Sequence, residues 1–377
     1  MYIPNHFPNE LFALARTTQV SRRLHAVALP ALYHSLEPTE QRLHILVLTL
    51  LIHPTLAFYV RSLHIGWDGY LGRVMNVNPP VSNILKIAAD RFSIYSPVNS
   101  RGTQLILLMY ILPHLDVINV TFLFSYETYV FSEFLNTLAS RPITTLPIAL
   151  QSVRVIHCYW WDTAGSLSPA GFIALLRLPS IRTVDNRIGA SKALEDADVA
   201  EIERLSEVTS VGIGVGDHTM WSLVKILKVP RVLKEFRYGH WPEDDRSTFD
   251  RTVFMKALEM YRVTLECLVL CFNDDKAERW GEDSGLEAGI GSLRGWPELK
   301  RVTCSLTTLL GKGRKVAVER LVGVLPVGIR ALEIKRDIYW TNEEVAEEVA
   351  HMMVMKGALG LSWLQVVTIE MEQDMMN

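Results

Sequence analysis

The residues that could do chemistry in this chain fall into a few small groups. Gly212, Gly214 and Gly216 lie between a strand-like run and a helical one, with Glu235 about twenty residues further on, the outline of a dinucleotide-binding turn. Asp217 stands where that turn needs its third glycine. A side chain there blocks close helix packing, and its carboxylate repels a pyrophosphate. The expectation is therefore a glycine-containing repeat strand and no cofactor. Gly311 to Lys315 is basic and glycine-rich but lacks the hydroxyl residue that follows a phosphate-binding lysine. Cys158, Cys267, Cys271 and Cys304 form no Cys-x-x-Cys pair and have no histidine pair beside them, so all four are expected to be buried thiols, with no metal. Asp244–Asp245 and Asp274–Asp275 are carboxylate pairs in polar stretches, where solvated loops are the ordinary outcome. No nucleophile elbow is present. The expectation is no catalytic residue and no enzyme.

Another group repeats along the chain. Aromatic and acidic residues cluster just after the strand-like runs: Trp67-Asp68, Tyr159-Trp160-Trp161-Asp162, Trp241 with Asp244 and Asp245, and Trp340. If those runs stack side by side, the loops form one rim. Aromatic anchors among carboxylates would suit a protein partner carrying basic residues. The alternative is that each indole packs back against its own repeat.

The rest of the sequence limits what can position these residues. The 377 residues are 49% hydrophobic and 21% charged, enough apolar surface to fold, and the net charge of −3 is spread among interspersed acids and bases. That balance is unlike a nucleic-acid binder. The apolar run Leu43–Ile52 is too short to span a bilayer, and Pro113, His114 and Asp116 interrupt the longer run 104–124, so no membrane association is expected. The longer run reads as a buried helix followed by a buried strand. The N-terminus lacks a signal-peptide pattern, and four cysteines do not form a disulfide framework. A cytoplasmic or nuclear setting is expected.

Between the clusters, helical stretches alternate with short strand-like runs, often joined by Leu-x-x-Val or Leu-x-x-Leu. Strands are expected near residues 63–67, 118–123, 153–158, 211–215, 235–239, 267–272, 301–306, 331–336 and 366–371, with 172–186 as a further helix–strand unit. One such unit cannot cover its own apolar face, and stacking neighbours does. The fold expected is an α/β leucine-rich-repeat-like solenoid over 37–377, a parallel curved sheet with helices on its convex side. A doubly wound sheet is the alternative, but about ten strands would be many for one.

Residues 1–36 stand apart. Leu11, Leu14 and Ala15 share one helical face, Leu24, Val27, Ala28 and Ala31 another, and Pro30 is expected to kink or end the second helix. Pro8, Glu10 and Leu11, followed by Val20, Ser21, Arg22, Leu24, Ala28, Leu32 and Tyr33, resemble the F-box of fungal F-box proteins with leucine-rich-like repeats. The stretch from Thr55 to Trp67 resembles the first repeat after that box. The interval between opening and second helix is shorter than in the family, so one helix of the box is expected to be missing. The resemblance implies docking to a Skp-family adaptor through Pro8, Leu11, Val20, Leu24, Ala28 and Leu32. The repeats would then select a protein for ubiquitination, acting by proximity alone. A repeat scaffold without ligase docking and a nucleotide-dependent α/β enzyme are the alternatives.

Overall fold

A computed structural model describes residues 16, 20–39, 42–66, 79–94, 96–98, 100–122, 130–131, 133–135, 137–138, 146–160, 169–187, 204–214, 220–240, 251–272, 289–311, 321, 323–335, 342–355, 357, 361 and 363–370. Helices and strands alternate along them. The chain runs α1 (Arg22–His34), β1 (Ser35–Leu36), α2 (Leu43–Ile52), α3 (Pro54–Ala57), β2 (Ser62–Ile65), α4 (Pro79–Arg91), α5 (Arg101–Ile111) and β3 (Val117–Phe122). Next come α6 (Ile148–Ser152), β4 (Val155–Trp160), α7 (Pro169–Leu176), β5 (Thr183–Arg187), β6 (Ser210–Gly214), α8 (Met220–Lys228), β7 (Glu235–His240) and α9 (Arg251–Leu258). The last elements are β8 (Cys267–Phe272), β9 (Arg301–Cys304), α10 (Leu306–Leu310), β10 (Ala331–Ile334), α11 (Asn342–Met355) and β11 (Val366–Ile369). The strands form a parallel sheet in chain order, β1 to β11. Sequential order is what stacked helix–strand units require, and a doubly wound sheet lacks it.

The joint before each strand explains the regularity. Two residues ahead of the strand stands a fully buried aliphatic side chain: Val60, Leu115, Val153, Ile181, Val208, Leu233, Leu265, Leu299, Ile329 and Leu364. Three residues further back lie buried Leu112, Leu150, Leu178, Trp296 and Leu361, so the Leu-x-x-Leu joint is a pair of core anchors. Burying each such side chain contributes about 1.5–3 kcal/mol. The backbone repeats with equal strictness. The amides of Asp116 and Val117 both donate to the Arg61 carbonyl, those of Arg154 and Val155 to Asp116, and those of Lys234 and Glu235 to Thr209. The same doubled bond links Glu266 and Cys267 to Lys234, and Arg330 and Ala331 to Lys300.

Contacts divide the chain into two compact units: residues 1–165 with 178–181, and residues 166–177 with 182–377. In the first, the inward side chains Leu63, Ile118 and Ile156, then Ile65, Val120 and Cys158, lie in register and are buried. Helix α5 is capped by the Ser100 side chain and buries Leu105 to Met109 on every side. With β3 it forms the buried helix and strand expected for the run 104–124. In the second unit Val184, Val211, Phe236, Leu268, Val302 and Leu332 continue the same pattern. Phe254 of α9 packs on Phe236 and Tyr238, with ring centroids 5.9 Å and 5.4 Å apart, which puts that helix on the inward face. The Tyr261 hydroxyl donates to the carbonyls of Leu227 and Pro230, tying neighbouring repeats together.

Several expectations need correction. β1 is a strand beyond those anticipated, while β5 is the strand of the helix–strand unit expected over 172–186. The strand expected to reach residue 306 ends at Cys304, because Ser305 turns out of the sheet and caps α10 by accepting from the Thr308 amide. Of the two outcomes expected at Pro30, a kink or an end, the end does not occur: α1 continues to His34. The Ser21 cap and two further turns after Ala28 outweigh the one backbone bond that proline removes.

Candidate partner-binding surface

The opposite face of the sheet is uncovered among the described residues. Its side chains are half-buried or exposed, with Gly212, Cys267 and Thr303 the buried exceptions in the second unit. On that unit, register aligns Asp185, Gly212 and Arg237 on β5, β6 and β7. A Cβ on Gly212 would fall 2.5 Å from Asp185 Oδ1, so only glycine lets this carboxylate lie across β6 toward Arg237, whose Nη1 is 3.9 Å from Oδ2. Arg237 also donates from Nε and Nη2 to Glu235 Oε1 at 3.1 Å and 2.7 Å, while the Ser210 hydroxyl donates to Glu235 Oε2 at 3.0 Å. Arg301 Nη2 approaches Glu235 at 3.9 Å across Cys267.

Burial alone would raise the Glu235 carboxyl. The Arg237 bonds and charge, with Ser210 and Arg301, outweigh it and hold the group below the usual carboxylate range. Burial raises the Cys267 thiol, so it is no ready nucleophile. Beyond it, Lys335 bridges Glu333 at 2.7 Å and Glu370 at 3.2 Å, and Thr303 donates to Glu333. The result is a charged lattice whose members already hold one another. It presents oriented donors and acceptors on the sheet face.

The first unit carries a neutral counterpart. Asn119 Nδ2 donates to His64 Nδ1 at 2.8 Å, which leaves the His64 proton on Nε2, 2.6 Å from Ser62 Oγ. Burial pushes the His64 imidazole below its ordinary pKa; Glu37 opposes that and His157 adds to it. His157 stacks on exposed Tyr159 with the rings 6.1 Å apart and 6° from parallel. The Asn119 Oδ1 has no hydrogen-bond partner among the described residues.

The N-terminal helix α1 is the remaining exposed feature. On α1, Val27 is 71% exposed and Leu24 is exposed, and Val20, just before the Ser21 cap, is 72% exposed. Leu32 is half-buried. Ala28, expected on the adaptor surface, is buried. Pro8 and Leu11 lie outside the described residues.

Gly212 and Gly214 lie in the strand expected over 211–215. They are inside β6, paired to β5 and β7, and not in a turn before a helix; Glu235 is taken up by Ser210 and Arg237. Cys158, Cys267 and Cys304 are buried as expected, but Cys271, opposite Gly239 near the end of β8, is exposed. Of the aromatic–acidic rim, Tyr159 and Trp160 prove to be the end of β4 and not a loop. Trp67, Asp68, Trp161, Asp162, Trp241, Asp244, Asp245 and Trp340 lie outside the described residues. The two polar lattices were missed in the sequence, because their cross-strand partners are 25 to 66 residues apart and meet only through strand register. No cluster of three metal-ligating side chains occurs among the described residues, and no helix there is long and apolar enough to cross a membrane.

No protein-family model matches the chain, and a search of curated proteins finds no significant match.

Proposed function

We propose that this chain is a leucine-rich-repeat-like solenoid that works as an F-box-type substrate receptor. Its first helix docks a Skp-family adaptor, and its open sheet face holds a protein for ubiquitination. The observation that carries the reading is the exposed apolar set Val20, Leu24 and Val27, placed by the chain directly before a sequential parallel sheet with one uncovered face. Exposed aliphatic residues on a helix supply the apolar contact that adaptor docking uses, and a sheet face with fixed polar groups supplies selectivity. The receptor performs no bond chemistry; it raises the effective concentration of its cargo at the ligase.

Co-purification with a Skp-family adaptor tests this. The intact chain is expected to retain the adaptor through size-exclusion chromatography, and Leu24→Asp is expected to lose it with the fold unchanged, because a buried unpaired carboxylate costs several kcal/mol. No adaptor bound by the intact chain would leave the scaffold reading in its place.

A further inference from the structure

We infer that the second unit carries a docking strip for an acidic, apolar-rich peptide segment of a partner protein, along the N-terminal ends of β8 to β11. The inference rests on the receptor reading and gives the chemistry of what this unit holds. Val263 lies four residues before β8, Pro297 four before β9, Val327 four before β10, and Trp363 three before β11. Register sets Cys267, Arg301, Ala331 and Val366 side by side, so these four residues follow one another at roughly the 4.8 Å strand spacing. All four are exposed, Val263 by 65% and Trp363 by 61%. Neighbouring turns touch: a Cβ on Gly328 would stand 3.2 Å from the Pro297 carbonyl, and one on Gly295 3.6 Å from the Arg262 guanidinium.

Single exposed aliphatic residues are ordinary on any protein surface. Here they are concentrated. Of the seven large apolar side chains exposed among the described residues of this unit, only Val253 and Val354 are on helices; Leu205, Val263, Val327, Trp363 and Val366 stand at or up to five residues before a strand. An exposed tryptophan among aliphatic neighbours is the commonest kind of interface anchor.

The charges beside the strip are cationic in excess. Glu259, Glu266 and Glu298 are each engaged, by Arg262 at 3.9 Å, by Lys234 and Lys300 at 3.1 Å and 3.4 Å, and by Lys300 at 3.6 Å. Arg294 and Arg330 have no carboxylate within 4 Å among the described residues, and Arg301 is 62% exposed. The complement is a segment with both carboxylates and apolar side chains. Three strand spacings make roughly 14 Å, the length of four or five extended residues. A peptide can direct its carboxylates to the arginines and away from the three glutamates. A uniformly anionic bilayer or nucleic acid meets those glutamates as well, and the protein partner is favoured for that reason.

The probe is a fluorescein-labelled random copolymer of glutamate and tyrosine, titrated with the full chain and followed by anisotropy at low salt. Binding is expected, at least tenfold tighter than to polyglutamate, and weakening as salt rises. Trp363→Ser is expected to weaken it about tenfold, a loss typical of an aromatic anchor. The pair Arg294→Glu and Arg330→Glu is expected to abolish it while circular dichroism and adaptor capture stay unchanged. Equal binding of a lysine–tyrosine copolymer, undiminished binding by the double variant, or retention on phosphatidylserine vesicles without copolymer binding would overturn the inference. Loss of adaptor capture by the intact chain with copolymer binding retained would count against the receptor reading and not against the strip.

Discussion

At the residue scale, the open face depends on one glycine. Asp185 reaches Arg237 only because Gly212 has no side chain between them. Gly212→Ala is expected to cost about 1–3 kcal/mol, since Asp185 has to swing away from Arg237. In an Asp185→Ala background the same substitution should cost under about 1 kcal/mol, and urea unfolding of the four-protein cycle measures the difference. Equal costs in both backgrounds would show that the carboxylate does not occupy that space. His64 offers a pH test. Burial holds its imidazole below the ordinary 6.5, so as pH falls the unfolded chain takes up that proton first. The stability His64 contributes is complete above about pH 6.5 and declines below it. His64→Gln should flatten the fall of the urea midpoint between pH 6.5 and pH 5, and an unchanged slope would contradict the assignment. His64 could not be singled out from the sequence, and Gly212 stood out only within a glycine triplet; its place between Asp185 and Arg237 comes from strand register.

At the scale of elements, the joint was the legible part. A buried Leu-x-x-Leu pair before a short β-rich run is both a core anchor and a strand start, so periodicity alone placed nine of the strands. What it could not place was β1, only two residues long; β5, within the unit expected over 172–186, forms although Asp185, Asn186 and Arg187 are polar. Pairing on the sheet outweighs that local polarity, with Asn186 buried on the inward face. Helix α1 shows the same division. Its apolar positions are legible as a helical face, but not which of them turns inward. The structure predicts that Ala28→Asp destabilises the chain by several kcal/mol, a carboxylate forced into a packed site, while Leu24→Asp leaves the melting temperature nearly unchanged. Thermal unfolding of the two variants checks it, and a reversed order would put the exposed face on the other side of the helix.

For the whole molecule, the described strands of each unit have helices on one face and none on the other, and the exposed apolar residues Leu24 and Val27 stand on α1, before β1. The alternation of helix and strand made the α/β class readable. The open face was not, since its lattices join residues from distant repeats. The measurement that tests the account most directly is amide hydrogen exchange on the full chain, alone and with a saturating Skp-family adaptor. The account predicts added protection in residues 20–34 with exchange in strands β2 to β10 unchanged, so that the sheet face stays free for cargo. No protection in 20–34, or protection spread over the strands, would contradict it.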